Sequence, residues 1–502
     1  MKRLALAAVV IAACCPTPKR AAGPTPPPTP VEPPTPVEPP PAAPPPVDWS
    51  AAGIDWSQPP AAWPEVAFTP PVPTEFRLKN GARVLVVENH RLPLVSVRIA
   101  VASAGTRADG AHAGLAALTA DLLDEGAGSR DALALAEEVE RLGASLVVGA
   151  GTDYAEVTLD TLASTLAPSL AIAADVLVRP RLAADDVARV KAERLADLAL
   201  RVDQPTAIAR LVFGRVVYGA HPYASPGDGF TSTVGALTPA DVTRFWKTHY
   251  GPAAATIVVV GDVTVEQART LLEASLGGWK TKVARPKAPP APAAGKPVLA
   301  FVDRPDAPQS VVVIGRLGPA ADDPAQAAND IVNTALGGSF ASRLNTALRE
   351  QKGYTYGINS AFVRGQWAGT WRMASSIRTD VTVPAIKDAL AITAATAGAP
   401  LPDAELAKTK SLIIRGLPQD FETNAGIAAA YTSLALDGRP LTWYRDLPAT
   451  LTAVTAAQGQ AAAAAAWRDL TIVVVGDWAK VGADLATLGL PIVRYDADGN
   501  PK

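Results

Sequence analysis

The heptapeptide Thr-Ile-Val-Val-Val-Gly-Asp occurs twice in this chain of 502 residues, at positions 256–262 and 471–477. The copies lie a domain length apart, much further than the roughly 20–50 residues of a solenoid repeat. In each copy a β-branched run ends at Gly-Asp, which is typical of a buried strand before a turn. A dinucleotide-binding strand is the ordinary alternative, but no G-x-G-x-x-G motif follows either copy. The repeat therefore predicts two related halves.

Both halves show strand patterns followed by helical patterns. In the first half, Asn80-Gly81 between two apolar runs predicts a β-hairpin. Strands followed by helices, with many antiparallel pairs, indicate an α+β domain whose helices cover one face of a sheet. We therefore predict a tandem duplication of an α+β domain with an antiparallel-rich sheet covered by helices. The predicted domains are residues 75–280 and 298–495, joined by a Pro-, Ala- and Lys-rich linker at 281–297.

The first residues are typical of an export signal. Lys2 and Arg3 precede an apolar stretch at residues 4–13, which is shorter than the roughly 20 residues of a membrane-spanning helix. Residues 11–14, Ile-Ala-Ala-Cys, resemble the cleavage box of bacterial lipoproteins, in which Cys14 becomes the lipidated first residue. A plain secretory signal cut near Ala13 is the alternative. We expect a cell-envelope lipoprotein in the outer membrane, facing the periplasm and touching the membrane only through this lipid.

The composition after the signal separates a tether from a globular body. Residues 15–74 are dense in proline, which favours extended polyproline II and predicts a disordered, semi-rigid tether. The only cysteines are Cys14 and Cys15, so the body has no thiol for catalysis or metal binding. The 46 basic and 48 acidic residues nearly balance and form no long basic run, which argues against a nucleic-acid partner.

Several short stretches resemble the insulinase/pitrilysin-type zinc peptidases, the inverzincin family that includes the mitochondrial processing peptidase. In the first half they are NGARVLVV at 80–87, AGTR at 104–107, GLA at 114–116 and HYGP at 249–252. In the second half they are GGSFASRL at 337–344 and LRE at 348–350. The matches fall in the family's order and span about residues 75 to 480, so the resemblance covers both halves.

The resemblance also shows what the chain lacks. The family's chemistry depends on H-x-x-E-H on a helix, where two His hold zinc and the Glu acts as general base. The motif should follow Gly-Leu-Ala directly, but residues 117–121 are Ala-Leu-Thr-Ala-Asp. Ala117, Ala120 and Asp121 therefore stand at the ligand and base positions. The resemblance implies a degenerate zinc site.

Other candidate ligands do not replace the motif. The family's distal Glu ligand would fall in the helix around residues 193–197, where two carboxylates alone do not make such a site. No two of the four His are spaced to share a helix face. A structural metal site formed by His112, Asp121, Asp124 and Glu125 is an alternative to an ordinary solvated helix end. We expect no cofactor in this chain and a zinc ion in a partner subunit.

The second half keeps a feature that the resemblance assigns to substrate binding. Residues 349–356 resemble a family segment in which an Arg and, seven residues later, a Tyr reach the scissile peptide. Here these are Arg349 and Tyr356, while Tyr354 has no such role. Guanidinium and phenol donors would hold the substrate carbonyl and stabilise the developing oxyanion. The alternative is a surface Arg at a helix end and a Tyr packed on a strand.

A substrate edge is the third implied feature. Residues 142–145 and the strand after them resemble the family strand that pairs with an extended peptide through main-chain hydrogen bonds. Gly149, Ala150 and Gly151 would let a peptide backbone approach closely. A loose hairpin loop is the alternative.

Together these features predict the zinc-free subunit of a heterodimeric metallopeptidase. The chain would supply Arg349 and Tyr356 in trans to a homologous partner that bears H-x-x-E-H, and both would bind the peptide substrate. By itself the chain is expected to be inactive. A catalytically inert peptide-binding or structural lipoprotein of the same fold is the alternative.

Overall fold

Two six-stranded sheets form the framework of the protein in the computed structural model, which describes residues 68–502. The predicted signal peptide, Cys14 and the tether as far as residue 67 lie outside the described residues. Residues 68–502 belong to one compact unit. Within this range no helix has both the length and the apolar character needed to cross a membrane.

The first sheet and its helices are built from residues before the predicted linker. The strands are β1 (Thr74–Arg77), β2 (Arg83–Glu88), β3 (Leu94–Val101), β4 (Ser145–Ala150), β5 (Ala155–Leu162) and β6 (Ala255–Gly261). The helices are α1 (Leu115–Asp121), α2 (Ala132–Arg141), α3 (Leu166–Val178), α4 (Ala184–Leu200), α5 (Pro205–Tyr218), α6 (Thr231–Ala236), α7 (Pro239–His249) and α8 (Val265–Leu276).

The second sheet and its helices follow the predicted linker. The strands are β7 (Leu299–Asp303), β8 (Gln309–Gly318), β9 (Thr355–Arg364), β10 (Gly369–Arg378), β11 (Thr471–Gly476) and β12 (Ile492–Tyr495). The helices are α9 (Gln326–Leu336), α10 (Thr382–Gly398), α11 (Asp403–Gly416), α12 (Asn424–Leu436), α13 (Trp443–Ala453), α14 (Ala456–Ala466) and α15 (Trp478–Leu485). A π-helical segment, Asn345–Gln351, precedes β9.

The strand orders display the duplication directly. The first sheet runs β1-β2-β6-β3-β5-β4 and the second runs β12-β7-β11-β8-β10-β9. Each heptapeptide strand, β6 or β11, is parallel to one neighbour and antiparallel to the other. Every residue of both strands is buried, as their β-branched runs predict. The predicted α+β fold with antiparallel-rich sheets is confirmed.

The outer edges of the two sheets differ. In the first sheet β1 forms an antiparallel hairpin with β2, as Asn80-Gly81 predicts, and Gly81 has φ +95°. In the second sheet the equivalent position is taken by β12, which arrives from the C-terminal region and lies parallel to β7. Neither β7 nor β12 was predicted from the sequence.

Helices cover both faces of each sheet, and the prediction of one covered face was therefore incomplete. On the second face of the second sheet lies α5 from the first half, where Phe213 packs among residues such as Val313. On the second face of the first sheet lies α12 from the second half, where Tyr431 packs among residues such as Val258. Because each half covers the other's sheet, the two halves bury a shared core.

Some helix boundaries also differ from the expectation. Apolar residues that recur at three and four positions predict a helix at residues 114–124, but α1 ends at Asp121. Residues 341–349 are also predicted to be helical, and the structure forms the π-helical segment Asn345–Gln351 there. The helices α5, α6 and α8 were not predicted.

Candidate functional site

The segment that carries Arg349 is held against the second sheet. Leu348 is fully buried in the second core. The Asn345 side-chain oxygen accepts a hydrogen bond from the Ile358 N–H at 3.0 Å, which ties the π-helical segment to β9. Gly353 has φ +61°, and this left-handed residue lets the chain reverse from the segment into β9. The reversal places residue 349 beside the start of the strand.

Arg349 and Tyr356 come together at this junction. The Arg349 guanidinium carbon lies 5.3 Å from the Tyr356 ring centroid and 4.2 Å from that of Phe340. Tyr356 is 91% exposed and Phe340 is 72% exposed. A Tyr packed on a strand, the structural alternative, does not describe residue 356. Tyr354, by contrast, packs against the second core.

Arg349 has one carboxylate partner and two aromatic neighbours. Across residues 68–502 its carboxylate contact is the adjacent Glu350, with 3.3 Å between Nε and Oε1. The Phe340 and Tyr356 rings lie near its guanidinium in a cation–π arrangement, and within these residues its N–H groups make no side-chain hydrogen bond. Sequence reasoning did not single out Phe340, although it lies in the GGSFASRL stretch that carries the resemblance.

The positions of the missing zinc motif lie on the buried side of α1. Ala120 is completely buried and Ala117 is 6% exposed. Asp121 forms an ion pair with Arg194 of α4, the helix in which the resemblance places the distal ligand. Arg194 also lies 3.4 Å from a carboxylate oxygen of Asp228. An arginine therefore supplies positive charge between α1 and α4.

The alternative acidic metal cluster does not assemble in the structure. Glu125 is paired with Arg189 of α4, and Asp121 is paired with Arg194. His112 is exposed. Across residues 68–502 no group of three or more His, Cys, Asp or Glu side chains has an arrangement that could hold a metal ion. The carboxylates at this helix end act as partners for arginines.

A buried carboxyl group holds the start of α1. Asp109 is 4% exposed and accepts hydrogen bonds from the N–H groups of Ala116 at 2.7 Å and Gly114 at 2.8 Å. Burial raises the pKa of Asp109 to about 7, although these two donors act in the opposite direction. The helix that would carry the motif is therefore fixed by a group that titrates near neutral pH.

The predicted substrate edge is the outermost strand of the first sheet. The β4 strand has only β5 as a neighbour in the sheet, and Gly149 and Ala150 are in register with Glu156 and Ala155. Both residues therefore belong to a strand rather than to a loose loop. An added Cβ at Gly149 would meet nothing within 4 Å, so the chain is open there.

Gly151 differs from its two neighbours. Its N–H donates to the Tyr154 carbonyl at 2.8 Å, and its own carbonyl accepts from the Thr106 N–H at 2.9 Å. The first bond closes the turn between β4 and β5, and the second joins this turn to the segment after β3. The main chain of Gly151 is thus already used within this protein, and the strand residues Gly149 and Ala150 form the accessible edge.

A cavity of about 660 Å³ adjoins this edge. Its lining combines the β4–β5 hairpin with residues of α5, β9 and β10. The lining therefore comes from both halves of the chain. Sequence reasoning did not find this cavity, because α5 was not predicted and its partners in the fold are distant in sequence.

A network centred on Asp153 joins the halves at one end of the cavity. Asp153 accepts hydrogen bonds from the Tyr223 hydroxyl and, at 3.0 Å, from the Gln366 N–H. Arg107 lies 3.5 Å from the same carboxylate and 4.3 Å from the centroid of the Trp367 ring. Burial, followed by the hydrogen bond and the negative charge of Asp153, raises the pKa of Tyr223. Asp153 thus has several partners of its own.

Known proteins share this architecture and part of this sequence. Residues 236–413, which include Arg349 and Tyr356, match the sequence profile described as the peptidase M16 inactive domain. The crystal structure of a peptidase M16 inactive domain from Pseudomonas fluorescens aligns with a TM-score of 0.77 at 28% identity. It covers 81% of this chain and 98% of that chain. The chain resembles the M16 peptidases in its fold and in part of its sequence.

Other known proteins are similar in fold or in sequence. The crystal structure of a protease from Helicobacter pylori has the same fold, with a TM-score of 0.74 at 21% identity over 81% of this chain and 99% of that chain. An uncharacterized zinc protease of Mycobacterium leprae is 29% identical over 289 residues, 57% of this chain and 64% of the relative. The non-peptidase homolog YmxG of Helicobacter pylori is 24% identical over 308 residues, 59% of this chain and 68% of the relative.

These similarities confirm the family that the motifs predict. The match to the mycobacterial relative spans slightly less than two thirds of that protein's length. Residues 236–413 match a domain of the inactive M16 type, and the chain lacks H-x-x-E-H, as expected of a non-catalytic homologue. The relatives include proteins named as zinc proteases and one named as a non-peptidase.

Proposed function

We propose that this M16 chain is the zinc-free subunit of a two-chain metallopeptidase. A homologous partner with H-x-x-E-H would hold the zinc, and this chain would supply Arg349 and Tyr356 to the shared site. The observation that carries the proposal is the contact of these two side chains on an exposed surface. The same chain has Ala117 and Ala120 at motif positions, so its own chemistry is incomplete.

The exposure of Tyr356 supports a role toward another molecule. A tyrosine side chain normally buries its ring and satisfies its hydroxyl, yet this ring is almost fully exposed. Within the described residues the hydroxyl has no hydrogen-bond partner. The phenol O–H and the guanidinium N–H groups of Arg349 therefore form a pair of donors available to a ligand.

These donors suit the developing charge of peptide hydrolysis. In the complex, zinc held by the partner would supply the activated water. Arg349 and Tyr356 would donate hydrogen bonds to the carbonyl oxygen of the substrate as negative charge develops there. Donors that are already positioned need little reorganisation, and losing one typically costs about 10²–10³ in rate. The free edge at Gly149 and Ala150 would align an extended peptide through main-chain hydrogen bonds.

A catalytically inert peptide-binding or structural protein of the same fold is a second candidate. The Helicobacter pylori relative described as a non-peptidase homolog favours it. Under this alternative the Arg349 and Tyr356 side chains would have no effect on any hydrolysis. In both cases we propose that Cys14 carries a lipid that anchors the protein in the outer membrane, facing the periplasm.

The decisive experiment is peptide hydrolysis by the native complex, purified with its partner. We expect activity that neither chain has alone. Arg349→Ala and Tyr356→Phe should each lower kcat by about 100-fold or more, because only contacts to the transition state are lost. The partner's zinc content and the assembly of the complex should stay unchanged, since neither side chain is a ligand.

Tyr354→Phe is the matched control, because it removes the same hydroxyl from a tyrosine that packs against the core two residues away. Its activity should be close to that of the wild type. Full activity in both Arg349→Ala and Tyr356→Phe would favour the inert scaffold. So would a native complex that contains no chain with H-x-x-E-H.

A further inference from the structure

We propose that Arg210 and Arg372 form an anion site in the cavity beside β4, and that the site binds a carboxylate carried by an extended peptide. Arg210 lies on α5 and Arg372 lies on β10, so the site combines the two halves. It deepens the proposed function by naming a substrate class, and it rests on that function for the use of β4 as a peptide edge.

The charges that line the cavity divide into paired and unpaired groups. Glu156 accepts from Arg98 at 2.8 Å, and Arg364 donates to Asp330 at 2.7 Å. Asp153 is held by the network that joins the halves. Throughout residues 68–502, neither Arg210 nor Arg372 has a carboxylate or a hydrogen-bond acceptor as partner.

The two unpaired arginines act on each other. Burial lowers the pKa of Arg372, and the positive charge of Arg210 lowers it further. Two guanidinium groups that face one cavity without a counter-ion repel each other, and the repulsion grows as water is excluded. An anion placed between them would remove this repulsion and accept charge-assisted hydrogen bonds. The arrangement is therefore suited to a negatively charged ligand.

The rest of the lining favours a peptide carboxylate over a polyanion. Val147 of β4 is 60% exposed and Val363 of β9 is 40% exposed, and both line the cavity together with Phe213. These side chains can contact the apolar side chains of a bound strand. Asp153 and Glu156 lie in the same lining, so a ligand with many negative charges would place some of them near these carboxylates, whereas a single carboxylate needs only the two arginines.

The test measures peptide binding by the full-length protein, without a partner or zinc. The probe is an unlabelled, N-acetylated and C-terminally amidated decapeptide of alternating Val and Thr with a single central Glu, and its binding is measured by isothermal titration calorimetry. The comparison peptide has Gln at that position. A third peptide has the Gln and a free C-terminus, which distinguishes a side-chain carboxylate from a terminal one.

We expect at least one carboxylate peptide to bind about ten-fold or more tightly than the neutral peptide, which is typical for hydrogen bonds to a charged group. Arg210→Gln and Arg372→Gln should each abolish this preference. Arg468→Gln is the matched control, because Arg468 is exposed and does not line the cavity. It should retain the preference. Circular dichroism and thermal melting verify that each variant is folded. Because Arg210 is exposed, Arg210→Gln should leave the sheet intact.

Equal affinity for the Glu, Gln and free C-terminal peptides would overturn the proposal, as would an unchanged preference in both cavity variants. Tighter binding of inorganic phosphate or of a single-stranded oligonucleotide would overturn the peptide assignment. Since the assay needs no partner, a preference found here would stand even if the complex showed no peptidase activity. Conversely, an active complex whose chain shows no preference would refute only the anion site.

Discussion

The α1 helix and the junction at residues 349–356 offer a comparison between the two halves. In α1, two of the motif positions make contacts within the protein: Ala120 is completely buried, and Asp121 is paired with Arg194. At the junction the fold leaves Tyr356 91% exposed, with Arg349 against its ring. Side chains at the first place therefore stabilise the protein, whereas those at the second are available to a ligand.

Arg194 and Arg349 differ in the same way in their charged partners. Arg194 is 14% exposed and has carboxylates on two sides, from Asp121 and Asp228. Arg349 is 25% exposed and has aromatic rings and the adjacent Glu350. A mostly buried guanidinium depends on its carboxylate partner, because an unpaired buried charge is costly. Loss of a carboxylate partner of Arg194 should therefore lower the free energy of unfolding, whereas substitutions at the junction should hardly change it.

The largest effect on stability should come from Asp109 and should depend on pH. In the folded state the Asp109 carboxyl group keeps its proton up to about pH 7, whereas in the unfolded state it loses the proton near its ordinary pKa of 3.8. The unfolded state therefore binds fewer protons between these values, and stability falls as pH rises from about 4 to 7. At 1.36 kcal/mol per pKa unit, the fall from this group is of the order of 4 kcal/mol.

Denaturant unfolding of the wild type and of Asp109→Asn at pH 4, 5.5 and 7 checks this expectation. The fall in unfolding free energy should be smaller in the variant, because asparagine does not titrate. Asp124, whose pKa burial raises to about 6, remains in both proteins and cancels from the difference. Parallel pH profiles would show that Asp109 does not titrate in this range.

The ion pair between Asp121 and Arg194 should have the next largest effect. Asp121→Asn leaves a mostly buried guanidinium with Asp228 as its remaining carboxylate, and should lower the unfolding free energy by about 1–2 kcal/mol. Asp228→Asn is the matched control: that side chain is 78% exposed, so its loss should cost less than about 0.5 kcal/mol. Equal effects of the two variants would mean that α1 does not depend on this pair.

The smallest effect should be seen at the junction. Tyr356→Phe and Arg349→Ala should each change the unfolding free energy by less than about 0.5 kcal/mol, because Tyr356 is almost fully exposed and half-buried Arg349 contacts exposed rings and the neighbouring Glu350. Thermal melting and denaturant unfolding of the isolated chain measure this. A loss of more than 1–2 kcal/mol would assign a structural role to the pair, and a fall in activity of the same variants would then need another explanation.

Local sequence patterns account for much of the fold. The two heptapeptides predict β6 and β11, and every residue of both strands is buried because each run has no charged side chain and a single hydroxyl, at Thr256 or Thr471. Asn80-Gly81 predicts the first hairpin, since the turn needs the positive φ that Gly81 adopts. Both signals act within a few residues and so can be read along the chain.

The sequence predicted only part of the candidate site. The order of short motifs indicated the family, the missing H-x-x-E-H and the importance of Arg349 and Tyr356. It did not indicate that Phe340 lies against Arg349, or that Gly151 already uses both its main-chain hydrogen-bonding groups in the turn. These facts depend on the π-helical segment and on the register of β4 with β5, which residue types alone do not specify.

The sequence by itself determined that this protein has two related α+β halves, a resemblance to M16 peptidases and no H-x-x-E-H motif. The tertiary structure alone decided that α5 and α12 each cover the sheet of the opposite half. It alone placed Arg210 and Arg372 in one cavity. The physical reason is that strand and turn preferences act between near neighbours, whereas hydrophobic burial is non-directional and has no sequence range. Which apolar surfaces meet, and which charges they bring together, is settled only when the whole chain packs.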